Sequence, residues 1–296
     1  MLVQVQNSTD SVAERALVDW LSGWDGAGSP QGVATVNCGL VHQGESYHFD
    51  AVVWTPTSCV VIDVAGLHSP HGGTLQAPLT GDWTLNGVRA ELETSDNRSP
   101  LDRSREHTFA LQTWLAARGL GQRAVHGVAL VVPLQNAPVQ IEQKVHDPSF
   151  DVIVGDDGNG LRHYFGVLAQ RESHRWTAND VALSFRGMGM LPYLPAPQRL
   201  LEEGFLGPID VTLWHGGPAQ AEAEQYAEDL AEYERAAGAR RFRSPWYSPW
   251  RLYPREVGDI DFGRAAMRAG FALGMFIAIA WILWFLITAF LTYGPG

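Results

Sequence analysis

Between Phe49 and Gly66 the chain reads FDAVVWTPTSCVVIDVAG, two apolar stretches joined by the turn TPTS, each carrying one carboxylate. Asp50 heads the first stretch and Asp63 lies near the end of the second. A buried strand tolerates a carboxylate only when a hydrogen-bond partner, a cation or a metal ion compensates it. Two carboxylates on neighbouring strands can hold Mg²⁺, which polarises a phosphate and lowers the pKa of a bound water. The residue two beyond the second acid is Ala65, which can neither ligate nor carry a proton. A turn cap or an arginine pair would equally explain Asp50, and a similar role would explain Asp63.

Lysine chemistry has one candidate in the whole chain, because Lys144 is the sole lysine among 21 cationic side chains. In the segment IEQKV, Glu142 and Lys144 share a face if the segment is a strand. Lys144 is then either a relocated catalytic lysine or an exposed edge-strand residue. Glu14 follows Ser11 by three residues, the spacing of a capping box, and serves either that cap or the acidic site. His68 and His71 lie in a Gly- and Pro-rich loop rather than on a helix, which disfavours a shared metal. GDDGNG lacks the ligand spacing and closing glutamate of a calcium loop and reads as a turn. Cys38 and Cys59 have neither zinc spacing nor a disulfide framework and read as small buried hydrophobes.

The elements that must position these acids follow from periodicity. A helix opens at Ser11, with Leu17, Val18 and Leu21 at helical spacing. Extended segments follow at 33–41, 47–54 and 59–67, and Asn86-Gly87 marks a hairpin. The stretch 101–118 reads as a helix with Phe109, Leu111, Trp114 and Leu115 toward one side, and VHGVALVVP reads as a fully buried strand. Further on, the pattern predicts strands at 150–154 and near 164–168, a helix opened by Thr177, and an Ala/Glu-rich helix over 218–241 whose acidic start and basic end suit the helix dipole.

Acids on two adjacent strands, with a lysine after the second, are the core of the PD-(D/E)xK metal-dependent nucleases. The run FDAVVWTPTSCVVIDVAG, preceded by a helix with Glu14 and followed by Trp83 after a Gly-rich loop and a proline at a helix start, resembles the NERD or nuclease-related domain. The resemblance covers about residues 8–135 and extends toward 205. It implies an α/β fold, a restriction-endonuclease-like mixed sheet flanked by helices, with Glu14, Asp50 and Asp63 at the acidic positions, Mg²⁺ held by Asp50 and Asp63, and Trp83 at the aromatic position. Three polar positions of that pattern are changed: Ala65 replaces the lysine, Ser99 the asparagine and Arg103 the glutamine, while Pro100 is retained. Losing a catalytic lysine removes a contribution of about 10²-fold or more. The expected outcome is a domain with a degenerate nuclease site that serves binding or scaffolding. The alternative is an active Mg²⁺-dependent nuclease, with Lys144 in the missing role and Arg103 or Arg105 contacting a phosphate.

Composition narrows the partners. A formal net charge of -11 over 296 residues, with 46% apolar content, describes a folded chain without the cationic footprint of broad nucleic-acid binding. No charge falls between Ala269 and Gly296, and at about 1.5 Å per residue this run is long enough to cross a hydrocarbon core of about 30 Å. Arg240, Arg241, Arg243, Arg251, Arg255, Arg264 and Arg268 precede it, which predicts a single-pass cell-membrane protein with a cytoplasmic N-terminal part. The start of the chain lacks the charged and apolar regions of a signal peptide. The expected organisation is a nuclease-related domain over 1–205, an acidic stalk helix and linker over 206–243, an aromatic and arginine-rich juxtamembrane segment over 244–264, and a transmembrane helix over 265–293. Protein partners in a membrane complex follow as the expected ligands, with nucleic acid only under the nuclease alternative.

Overall fold

In a computed structural model the described residues are 1–242, apart from 9–10, 27, 80, 95–97, 135–136, 144–146, 148, 156 and 173–174. Two compact units divide the chain, Met1–Arg235 and Ala236–Gly296. The expected segments 244–264 and 265–293, together with Lys144, lie outside the described residues. Among the described residues no helix is long and apolar enough to cross a membrane.

Strand β1 (Leu2–Val5) precedes helix α1 (Val12–Ser22), and three long strands follow: β2 (Val33–His42), β3 (Glu45–Trp54) and β4 (Cys59–Leu67). The short strands β5 (Gly73–Gln76), β6 (Thr84–Leu85), β7 (Val88–Arg89) and β8 (Leu92–Glu93) lead to α2 (Pro100–Ala116) and β9 (Val125–Pro133). Strands β10 (Val139–Gln143) and β11 (Phe150–Val154) precede helices α3 (Asn159–Arg171), α4 (Ala178–Gly187), α5 (Pro197–Glu202) and α6 (Gln220–Phe242). The main sheet is mixed, in the order β1-β2-β3-β4-β9-β11, with β8 paired to β4. β2, β3 and β4 run antiparallel, while β9 is parallel to β4 and β11 to β9. A second sheet has the order β10-β5-β6-β7, closed by a hairpin turn in which Asn86 (φ 52°) and Gly87 (φ 79°) take the left-handed conformation that a two-residue turn requires.

The fold is α/β, with helices on both faces of the sheet. On one face Leu17 and Leu21 of α1 and Leu161, Phe165 and Leu168 of α3 pack with Val60, Ile62 and Leu130. On the other, Leu111, Trp114 and Leu115 of α2 and Val181 and Phe185 of α4 pack with Val52, Trp54 and Val61. Side chains directed alternately to two apolar layers explain why β9 is buried along its full length. The packing continues past residue 205, since Trp214, Ala219 and Ala223 are buried in the same cluster.

Two expectations are corrected. The stretch 164–168 is not a strand but the middle of α3, where Leu161, Phe165 and Leu168 recur at helical spacing and bury one stripe. A short apolar run such as YFGVL is compatible with either period, and the tertiary contacts decide. Phe109 does not join Leu111, Trp114 and Leu115; it is 73% exposed on the outer side of α2. Asp157, in the expected turn GDDGNG, accepts the Asn159 N–H at 2.9 Å and starts α3. Thr177 and Asp180 form the reciprocal capping box that opens α4.

Candidate functional site

Asp50 and Asp63 meet where the sheet opens. β3 and β4 pair from Trp54–Cys59 to Ala51–Ile62 and then separate, and β8 takes over β4's edge at Gly66 and Leu67. The window between them leaves the Val64 N–H without a strand partner, and Asp50 Oδ2 accepts it at 2.7 Å. A side chain thus completes a ladder that the backbone abandons.

Helix α2 supplies the rest of the site. Its start is set by Pro100 in the first turn, where a missing N–H costs nothing. Arg103 and His107, one helical turn apart, therefore point at the same region of β4. Arg103 Nε donates to Asp63 Oδ1 at 3.0 Å, and Arg103 Nη2 donates to Asp50 Oδ2 in a short contact. His107 Nδ1 lies 2.7 Å from the same Asp63 oxygen, with Phe49 and Tyr47 edge-on to its ring. Asp50, Asp63 and Arg103 are each 1% exposed. The site is a closed network in the interior rather than an open cleft.

Charge bookkeeping gives this network a definite protonation behaviour. One guanidinium balances one carboxylate, so a proton on Asp50 neutralises the other. Burial pushes the Asp50 carboxyl up to about 7; Arg103 and the Val64 N–H pull it down, while Asp63 and, least of all, Glu14 push it up. A carboxyl whose folded pKa exceeds its unfolded value contributes stability that is complete below the unfolded pKa and is lost as pH rises through the folded one. Thermal unfolding from about pH 5 to about pH 8 is therefore expected to show falling stability, by up to a few kcal/mol, and Asp50→Asn is expected to flatten that slope. An equal slope in the variant would assign the dependence to other groups.

The remaining expected site residues fall as follows. Glu14 is half-buried at the start of α1, with its N–H 3.5 Å from Ser11 Oγ, and is close enough to Asp50 to affect its carboxyl without being bonded to it. Ala65 is fully buried beside the window. Trp83 packs with Leu67, Leu75 and Leu101 between the small sheet and α2. Glu142 is exposed and accepts from Gln76 Nε2 at 3.1 Å. His68 pairs with Glu93 at 2.9 Å on the surface. Cys38 and Cys59 are free and fully buried, and burial raises both thiols.

The donor set does not fit a divalent cation as it stands. A guanidinium binds both carboxylates, and among the described residues no group of three His, Cys, Asp or Glu side chains is placed to hold a metal ion. Asp50 Oδ1 and Asp63 Oδ2 are buried without hydrogen-bond partners, so each carboxylate retains one free oxygen. In the sequence Arg103 stands as a changed polar position or a phosphate contact, and His107 is not singled out. Their i, i+4 spacing at the head of the helix that follows the acidic strands is the signal that would have found the pair.

No protein-family model, curated protein or solved structure matches the chain.

Proposed function

We propose that this chain carries a nuclease-related, restriction-endonuclease-like domain whose two-carboxylate centre is closed by an ion-pair network, and that it acts by binding or scaffolding at the cytoplasmic face of a membrane. The observation that carries this reading is Arg103, 1% exposed and bonded to both Asp50 and Asp63. A guanidinium between the acids supplies the positive charge a cation would supply, but it has no bound water to activate and stays protonated. The order of a helix, three antiparallel strands, a second helix and a parallel strand, with acids on the second and third long strands of the sheet, supports the nuclease-related ancestry. The uncharged run at 269–296 supports the membrane anchor.

Full-length protein in mild detergent, incubated with single- and double-stranded DNA and RNA and with Mg²⁺ or Mn²⁺, is expected to cleave none of them above an Asp63→Ala control. Metal-dependent cleavage that the control abolishes would overturn the closed-site reading. It would favour the nuclease alternative, in which Arg103 leaves the acids and the free oxygens of Asp50 and Asp63 take a cation. Removing residues 265–296 is expected to move the protein from the membrane fraction to the supernatant; continued sedimentation with membranes would sink the anchor.

A further inference from the structure

The alternation of β2 and β3 inverts at one level of the sheet. In β2, Ala34 and Val36 face the α1 side, whereas Cys38 and Leu40 face the α2 side. In β3, Phe49 faces the α2 side, as Val52 and Trp54 do, whereas Ala51 and Val53 face the other. Regular strands keep one parity throughout, so both change phase between these pairs. Thr35 Oγ1 and Cys38 Sγ, 3.3 Å apart, sit side by side despite their odd spacing. The ladder holds Val36–Ala51 and Cys38–Phe49 but skips the pair between them, Asn37 and Asp50.

Asn37 makes the inversion. Its φ of 52° is left-handed, a conformation that asparagine adopts more readily than other residues bearing a side chain, apart from aspartate. On the other edge of β2, where the chain leaves β1, Asn7 holds the kinked residue: Asn7 Nδ2 donates to the Asn37 carbonyl and Asn37 Nδ2 donates to the Asn7 carbonyl, both at 3.1 Å. Asn37 is 4% exposed while Asn7 lies at the surface, so the paired amides are partly buried.

We infer that Asn37, held in the left-handed conformation by Asn7, is the positioning residue that turns Asp50 into the β3–β4 window and onto the Val64 N–H. The inference concerns where Asp50 points, and it stands whether the site cleaves nucleic acid or only holds its ion pairs.

The readout is hydrogen exchange at the Val64 amide of the full-length protein, taken relative to the amides of β9 to remove any global change in stability. Asn37→Val places a β-branched residue at positive φ and is expected to lower the relative protection of Val64 by about tenfold or more. Asn37→Gly, which accepts that φ, is expected to retain it within about threefold. Unchanged relative protection in Asn37→Val, or an equal loss in both variants, would overturn the inference. Should Asn37→Val fail to fold, Asn7→Ala decides, because it leaves β2 intact: a severalfold loss confined to Val64 supports the inference and no loss overturns it.

Discussion

Replacing Arg103 with alanine is expected to lower the unfolding free energy by about 3–5 kcal/mol, the range for breaking a buried ion pair from one side. Truncation leaves Asp50 and Asp63, each 1% exposed, facing one another without their shared cation. Each carboxylate must then gain a proton or admit water, and both responses weaken the folded state. Arg103→Lys is expected to recover part of the loss only, because an ammonium is a point donor and cannot reproduce the planar fork that reaches two acids. Adding Asp50→Asn and Asp63→Asn to Arg103→Ala is expected to restore stability relative to the single variant, since the cost comes from the charge left behind. Denaturant unfolding of the full-length variants measures all of this. A loss under about 1 kcal/mol for Arg103→Ala would mean that water reaches the network and that its pairs behave like surface ones.

Trp114→Ala is expected to cost a comparable amount, about 3–5 kcal/mol, by opening a cavity in the core. The indole is 1% exposed, it fills the space above Gly187 of α4, and the Arg118 guanidinium covers it at 3.9 Å from the ring centroid. A Cβ at Gly187 would collide with the ring, so Gly187→Ala is expected to destabilise from the other side, by about 1–3 kcal/mol. Trp114 bears on the site because α2 also carries Arg103 and His107, and a loosened helix moves both. Chemical unfolding of Trp114→Ala beside Trp114→Phe separates lost volume from lost indole. A cost under about 1 kcal/mol for the alanine variant would show that α2 is held by its first turns instead.

The pieces that were legible in advance are those with local signals. The Ser11 and Thr177 helix starts, the Asn86-Gly87 turn, the three long strands and the buried strand 125–133 each follow from a cap, a turn pair or a period. The two acids were legible as well, since carboxylates in runs of Val, Ile and Trp demand compensation wherever they lie. Phe109 was misplaced because α2 buries polar residues such as Ser104, His107 and Thr108, so its inner face cannot be found by hydrophobicity alone. The strand expected at 164–168 failed for a related reason, a run too short to distinguish two periods.

By itself, then, the sequence determined that Asp50 and Asp63 lie on neighbouring strands and that each needs a partner, because burial makes an unpaired carboxylate costly at any position in any fold. Only the tertiary structure decided what the partner is. Arg103 and His107 are forty or more residues from the acids along the chain, and their approach depends on where β3 leaves β4, on the register of α2 over β4, and on the phase change at Asn37. Those three features arise from packing between elements distant in sequence, and no local pattern encodes them.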